Sequence, residues 1–193
     1  MSKIILISPE QSVVNEISLV QAMMSTNEDV RFHLRKFRWS KEDYLDYLLE
    51  INPLFYPKIS IHQFHDLQLN FPKIGLHYKE EDRDDFGKST MPTSTSFHSQ
   101  NDAFVLGNEF DYFFCSPVFQ SLSKKDYLPT ENWDITAWNN ELRRKAVALG
   151  GISVETIIQA KELGFTNFAV LGNIWMSENP LKSFEEMHEL CQK

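Results

Sequence analysis

Glycine is scarce in this chain, with seven among 193 residues, yet two of the seven stand together in "VALGGIS", residues 147–153. Cysteine is scarcer: Cys115 and Cys191 are the whole complement. Two distant thiols make neither a disulfide framework nor a metal-ligand spacing, so a reducing cytoplasm is the expected location. Positive charge is also in deficit, with 19 Lys and Arg against 27 Asp and Glu and a formal net charge of −8. A nucleic-acid-binding face needs the opposite balance, so no such partner is expected, although a small local phosphate site remains open. Long apolar runs are missing too. The opening "MSKIILISPEQ" reaches Pro9 and Glu10 after a stretch too short for a signal peptide or a membrane span. No linker or low-complexity run interrupts the chain, and one domain over residues 1–193 is expected.

What is present is material for a core: 42% of residues are hydrophobic and 13% aromatic, which argues against disorder. The pattern alternates. "KIILIS" reads as a buried strand and residues 13–24 as an amphipathic helix. "VRFHLRK" is strand-like, and Ser40 caps a helix through Glu50. "KISIHQ" and "KIGLH" are the next strands, separated by a short helical piece over 65–71. "TSTSFHS" follows, with Ser99 capping a helix that runs to Gly107. After "YFFCSPV" comes a long polar loop to Asp134 and a helix over 135–144. "AVALGG", a helix over 153–163, "NFAVLGN" and a last helix over 181–191 complete the series. Strand–helix repetition of this kind predicts an α/β fold, a single closed (β/α)8 TIM barrel with parallel strands; an open doubly wound sheet is the alternative.

A barrel of this type places its active site at the C-terminal ends of the strands. His33 and Arg35 stand near that end of the second strand, and His62 with Gln63 at the third. His77 ends the fourth strand and His98 the fifth, so four of the six histidines converge on one mouth. A zinc site is a further reading of such a cluster. "HQFH" has the i,i+3 spacing, but on a strand-to-loop turn and not on a formed helix. The glycine pair ends the seventh strand, and Ser153 opens the next helix; Gly172 and Asn173 end the eighth. Loops after these two strands often hold a phosphate on exposed backbone N–H groups. The competing reading is a tight turn that needs glycine for its dihedral angles alone.

"FHLRK", "KISIHQ", "IGLHYKEED", "TSFHS", "SPVFQSLSKK", "ALGGI" and "AVLGNIW" occur in the order and spacing of the thiamine phosphate synthase/TenI family, which the chain resembles from its first strand to about Trp175. "SPVFQSLSK" with "ALGGI" is the most specific part. The resemblance implies a TIM barrel of thiamine biosynthesis. Synthase members join a hydroxymethylpyrimidine diphosphate to a thiazole phosphate and release pyrophosphate, with Mg2+. TenI-like members isomerise the thiazole carboxylate phosphate through a histidine proton shuttle.

The family pattern maps onto His33 and Arg35 on strand two, with Phe37 where a basic residue is usual and Lys36 one place early. It puts His62 and Gln63 where the synthase has an Asn and a magnesium-binding Asp. Asp82 matches the second magnesium ligand, and Lys124, with Ser121 and Ser123 before it, matches the loop that meets the diphosphate. His98 matches the proton shuttle, while His62, His77, Gly150, Gly151, Gly172 and Asn173 fall at substrate and phosphate positions. The lost Asp ligand weakens Mg2+ binding. On these departures the residues lean towards thiazole tautomerisation. A synthase with a rebuilt magnesium site and a non-catalytic phosphate-ligand-binding barrel are the alternatives. A homo-oligomer is compatible with the fold.

Overall fold

The computed structural model describes residues 3–85, 89–120 and 131–193. Eight parallel strands close into a barrel in sequence order. They are β1 (Ile4–Ile7), β2 (Val30–Leu34), β3 (Ile59–Ile61), β4 (Gly75–Tyr78), β5 (Thr93–Phe97), β6 (Tyr112–Cys115), β7 (Ala146–Ala148) and β8 (Asn167–Val170). The ring closes where β8 pairs with β1, Phe168 beside Ile4. The TIM-barrel expectation therefore holds, and the open sheet is excluded.

Helices cover the outside: α1 (Glu16–Ser25), α2 (Lys41–Glu50), α3 (Gln100–Leu106), α4 (Asn140–Lys145), α5 (Ile157–Glu162), α6 (Gly172–Trp175) and α7 (Pro180–Gln192). Single 310 turns, His65–Leu69 and Glu80–Asp85, replace helices after β3 and β4. The capping residues explain several starts. Ser40 accepts from the Asp43 N–H and Asp43 returns the bond, a capping box that opens α2. Ser99 accepts from the Asp102 N–H at the start of α3.

Three predicted helices begin late, each for a local reason. The segment expected as a helix over 135–144 turns helical only at Asn140. The Ile135 N–H is taken by the Leu163 carbonyl, and Asp134 bonds both the N–H and the hydroxyl of Thr136. Asn139 then caps α4. The helix expected from Ser153 begins at Ile157, because the Ser153 N–H donates to the Thr156 hydroxyl, which donates to the Gly151 carbonyl. α1 starts at Glu16 after Asn15, whose φ of 58° is left-handed.

Strand alternation divides the interior into two cores. Outward residues such as Leu6, Phe32, Leu34, Ile61, Phe113 and Phe168 pack with the helices in the larger cluster. Inward, Ile5, Ile7, Tyr112, Phe114, Val147 and Ala169 form a small apolar cluster inside the ring. Most inward positions on β2 to β5 are polar, and they carry the site; Asn167 on β8 is a further buried polar residue. Trp133 and Trp138 are buried, and Trp138 meets Phe113 and Phe104. Cys115 is fully buried, and burial pushes its thiol well above the ordinary range, so it is no nucleophile. No helix among the described residues is long and apolar enough to cross a membrane.

Candidate active site

Register puts His33 beside Ser60, and His77 beside Ser94, which in turn lies beside Tyr112. In a closed barrel such neighbours share the inward face, so residues far apart in sequence meet. His33 Nδ1 lies 2.9 Å from His62 Nε2, and His33 Nε2 lies 2.6 Å from the Tyr112 hydroxyl. Ser60 Oγ is 3.0 Å from the same hydroxyl. The His62 ring stacks on that of His77 with centroids 4.0 Å apart. His77 Nδ1 and Nε2 are bonded to Ser94 Oγ at 2.9 Å and Ser96 Oγ at 3.1 Å. Three of the four strand-end histidines are thus brought together, but beneath the mouth: His33, His62 and His77 are all buried. The cause is the layering of inward side chains that fills this fold.

Burial dominates their electrostatics. It lowers His33 to about 3, with Arg31 adding to the effect. His62 and His77 are also pushed well below the ordinary imidazole value, by burial first, then by one another's neighbours and by Arg35. All three rings are neutral at pH 7. The "HQFH" spacing does not make a site: His65 Nε2 bonds the His77 carbonyl at 3.0 Å and its ring meets Tyr78.

Above the cluster an open cleft of about 470 Å3 is lined by His62, Gln63, Phe64, His65, Tyr78, Lys79 and Asp82. Phe64, with a left-handed φ of 55°, turns the chain at its rim. Phe37, the exposed aromatic at the position of the missing strand-two cation, gathers two others. The Arg35 guanidinium lies 4.3 Å from its ring centroid and Lys79 Nζ 5.7 Å. Lys79 escaped the sequence reading because "KEED" resembles a solvated loop, although its i+2 spacing from His77 was a usable signal. Lys36 does not substitute: it is fully buried outside the barrel and pairs with Glu16 at 2.8 Å. Arg83, also missed, lies against β5, donating to the Thr95 hydroxyl at 3.1 Å and to the Ser96 carbonyl.

His98 stands apart from the buried cluster. It is exposed, and its Nδ1 lies 2.7 Å from the Ser116 carbonyl. A carbonyl only accepts, so Nδ1 carries a proton, and Nε2 has no hydrogen-bond partner among the described residues.

The glycine pair is approached first by the chain itself. Gly150 and Gly151 have φ of 98° and 63°, which disfavours any side chain. A Cβ on Gly150 would stand 2.8 Å from Pro117 Cβ, and one on Gly151 would strike the Gln120 carbonyl. The turn reading therefore accounts for both glycines. The N–H groups of Gly150, Gly151 and Ile152, and of Gly172 and Asn173, have no acceptor among the described residues. The Asn173 side chain is engaged with Ser183 on α7. Ser121, Ser123 and Lys124 lie outside the described residues.

The family's Mg2+ can be tested against the donors present. Asp82 and Gln63 line one cleft, but Gln63 Oε1 also accepts from the Tyr44 hydroxyl at 3.5 Å, and Lys79 and His65 stand beside them. One carboxylate and one amide oxygen fit a magnesium ion held mainly by a substrate's diphosphate oxygens, not a self-sufficient protein cage.

A family model described as thiamine monophosphate synthase matches residues 66–174, more than half of the chain. His77, Asp82, His98 and both glycine sites fall inside that span, whereas His33, Arg35, His62 and Gln63 precede it. A thiamine-phosphate synthase of Prochlorococcus marinus subspecies pastoris is 26% identical over 148 residues, which cover 72% of this chain and 42% of that protein. The chain thus spans less than half the length of the curated relative it matches. Among solved structures, a thiamine phosphate pyrophosphorylase from Bacteroides thetaiotaomicron superposes with a TM-score of 0.76 at 23% identity, covering 100% of this chain and 98% of that one. One from Pyrococcus furiosus superposes at 0.72 with 14% identity, covering 98% and 95%. At these identities the two likenesses speak for the barrel alone. The match to the family model carries the assignment, and the chain belongs to the thiamine monophosphate synthase family.

Proposed function

We propose that this chain joins a hydroxymethylpyrimidine diphosphate to a thiazole phosphate, releasing pyrophosphate, at the mouth formed by β2 to β4. The observation that carries the reading is the gathering of Arg35 and Lys79 around Phe37, with Lys79, Asp82 and Gln63 lining one cleft. In this reaction the bond between the pyrimidine methylene and the diphosphate oxygen breaks, and the thiazole nitrogen lone pair forms the new carbon–nitrogen bond. Charge builds on the departing oxygen, so the protein's task is to hold cations there. Arg35 and Lys79 supply two, and Lys79 takes over from the basic residue replaced by Phe37. Mg2+, when bound through Asp82, Gln63 and the diphosphate, neutralises further charge. The open N–H groups at Gly150–Ile152 and Gly172–Asn173 suit the thiazole phosphate. The curated relative's name, thiamine-phosphate synthase, supports this reading over the tautomerase towards which the sequence leans.

One observation favours the second reading. His98 is held by its Nδ1 on the Ser116 carbonyl, and its Nε2, on an exposed ring, has no partner among the described residues, which suits a proton shuttle. The test is to incubate the protein with both substrates and Mg2+ and to detect thiamine phosphate by fluorescence after oxidation. Lys79→Ala should lower kcat by about 10²–10³. Absence of product, with isomerisation of the thiazole carboxylate phosphate that His98→Asn abolishes, would replace this proposal by the tautomerase. Binding of thiazole phosphate with neither reaction would leave a ligand-binding barrel.

A further inference from the structure

We propose that His33, His62 and His77 form a second metal site inside the barrel, one that takes a single Zn2+ through three imidazole nitrogens. It is separate from the Asp82 and Gln63 pair and does not depend on the reaction proposed above. One ligand nitrogen from each of the three rings lies within 4.8 Å of the others. Tetrahedral zinc holds its nitrogens at about 2.0–2.1 Å, which separates any two of them by about 3.3 Å. His33 Nδ1 and His62 Nε2 already stand 2.9 Å apart, so an ion between them needs only a small opening. His77 must turn off its stack on His62 and exchange one of its two serine hydroxyls for the ion. With one on each nitrogen, the ring keeps one hydroxyl whichever nitrogen binds.

The surroundings have the form of an orienting outer layer. A ligand histidine is fixed by a partner on its other nitrogen. Tyr112 does this for His33 at 2.6 Å. The ligand type is also chosen: three neutral imidazoles with no carboxylate suit zinc and disfavour magnesium, which prefers oxygen. The His33–His62 bond places one proton between the two nitrogens, and that proton shifts to the other nitrogen of its ring when an ion binds. His62 also lines the cleft, which gives the ion a way in and leaves a fourth coordination position for water from that side. Arg35 acts against the site, since its charge already bears on His62 and His77.

The test uses the full chain stripped with a chelator and then titrated with Zn2+ against a chromophoric competitor, in excess Mg2+. One Zn2+ per chain is expected, undisturbed by Mg2+, with a rise in Tm. Co2+ in its place should give the visible absorption of a tetrahedral nitrogen-rich site. His62→Ala should lose the ion. Tyr112→Phe, which keeps the ring, should weaken binding by about 10–100-fold, and Arg35→Gln should strengthen it. Because a histidine variant can fail to fold, the Tyr112→Phe and Arg35→Gln affinities decide the matter independently. The proposal is overturned if the wild type takes up no stoichiometric Zn2+, if Mg2+ displaces it, or if all three variants bind as the wild type does. Synthase activity has no bearing on any of these readouts.

Discussion

Two halves of one barrel lining face each other and are built from opposite chemistry. From β6 round to β1 the inward residues are mostly apolar, Phe114, Val147, Ala169, Ile5 and Ile7, with Tyr112 at the border and Asn167 at the start of β8. From β2 to β5 they are His33, Ser60, His77, Ser94 and Ser96, with His62 following β3. Apart from Asn167 on β8, which bonds the Lys3 N–H and the Arg144 and Ala146 carbonyls, the apolar half has no geometry to satisfy beyond volume, and burial stabilises it. Each group of the polar half loses water on folding and is tolerable only because a named partner replaces it. The first half holds the ring together, whereas the second holds a particular arrangement of nitrogen and oxygen atoms under the cleft. Function is therefore built where folding is least forgiving.

Acid should break the polar half first and with the largest effect. His33 titrates near 6.5 when unfolded and about 3 when folded, and His62 and His77 shift in the same direction. The unfolded chain then binds more protons, so stability rises with pH across this window and is lost as pH falls through it. For His33 alone the full effect is on the order of 5 kcal/mol. The charges facing the cluster, Arg31, Arg35, His65 and Arg83, all oppose its protonation. Urea unfolding in chelator should show a midpoint flat above about pH 6.5 and falling steadily below it. A midpoint that does not move between neutral pH and pH 4, in that buffer, would contradict neutral buried rings.

In the apolar half the matching experiment is Phe114→Ala. The ring is fully buried and touches both His33 and His77 at centroid distances of 5.0 and 5.2 Å. Its removal should cost about 3–5 kcal/mol by denaturant titration. A loss below about 1 kcal/mol would mean that the lining collapses freely and that the two halves are not mechanically distinct.

His33→Leu tests the polar half without opening a large cavity. It leaves His62 Nε2 without its partner, while the Tyr112 hydroxyl keeps Ser60. The expected cost is about 1–3 kcal/mol. Tyr112→Phe removes the other end of the 2.6 Å contact, so the double variant should lose less than the sum of the two single losses. Full additivity of the two losses would show that the 2.6 Å contact is not a coupled bond.

The barrel was legible from the sequence because alternation is local: eight strand segments can be read one at a time. The mouth was legible in outline for the same reason, since Arg35, Gln63, Asp82 and His98 each end or follow a strand. The Tyr112 contact was not, because His33 and Tyr112 are 79 residues apart and meet only through closure of the ring. Lys79 was hidden by its acidic neighbours. The late start of α4 was hidden by a long-range bond from Ile135 to Leu163. Capping residues that act within three positions, Ser40 and Ser99, were read correctly. What escapes is whatever depends on two distant segments at once.

The smallest effect separates orientation from stability inside the polar half. Ser94→Ala removes the partner of His77 Nδ1 but leaves Ser96 on Nε2. A neutral imidazole has one donor and one acceptor nitrogen, so the variant loses one bond and retains the other. The cost should be about 0.5–1.5 kcal/mol, below that of His33→Leu, since no second ring loses its partner. The ring's freedom changes more than its stability does. With one hydroxyl gone, His77 can rotate about its remaining anchor, and its stacking on His62 should loosen. Imidazole proton resonances would report this as exchange broadening confined to His77 and His62, with His33 unaffected because Tyr112 still holds it. Broadening of all three rings would instead mean that the cluster moves as one body, and that the serines position the whole polar half and not one histidine.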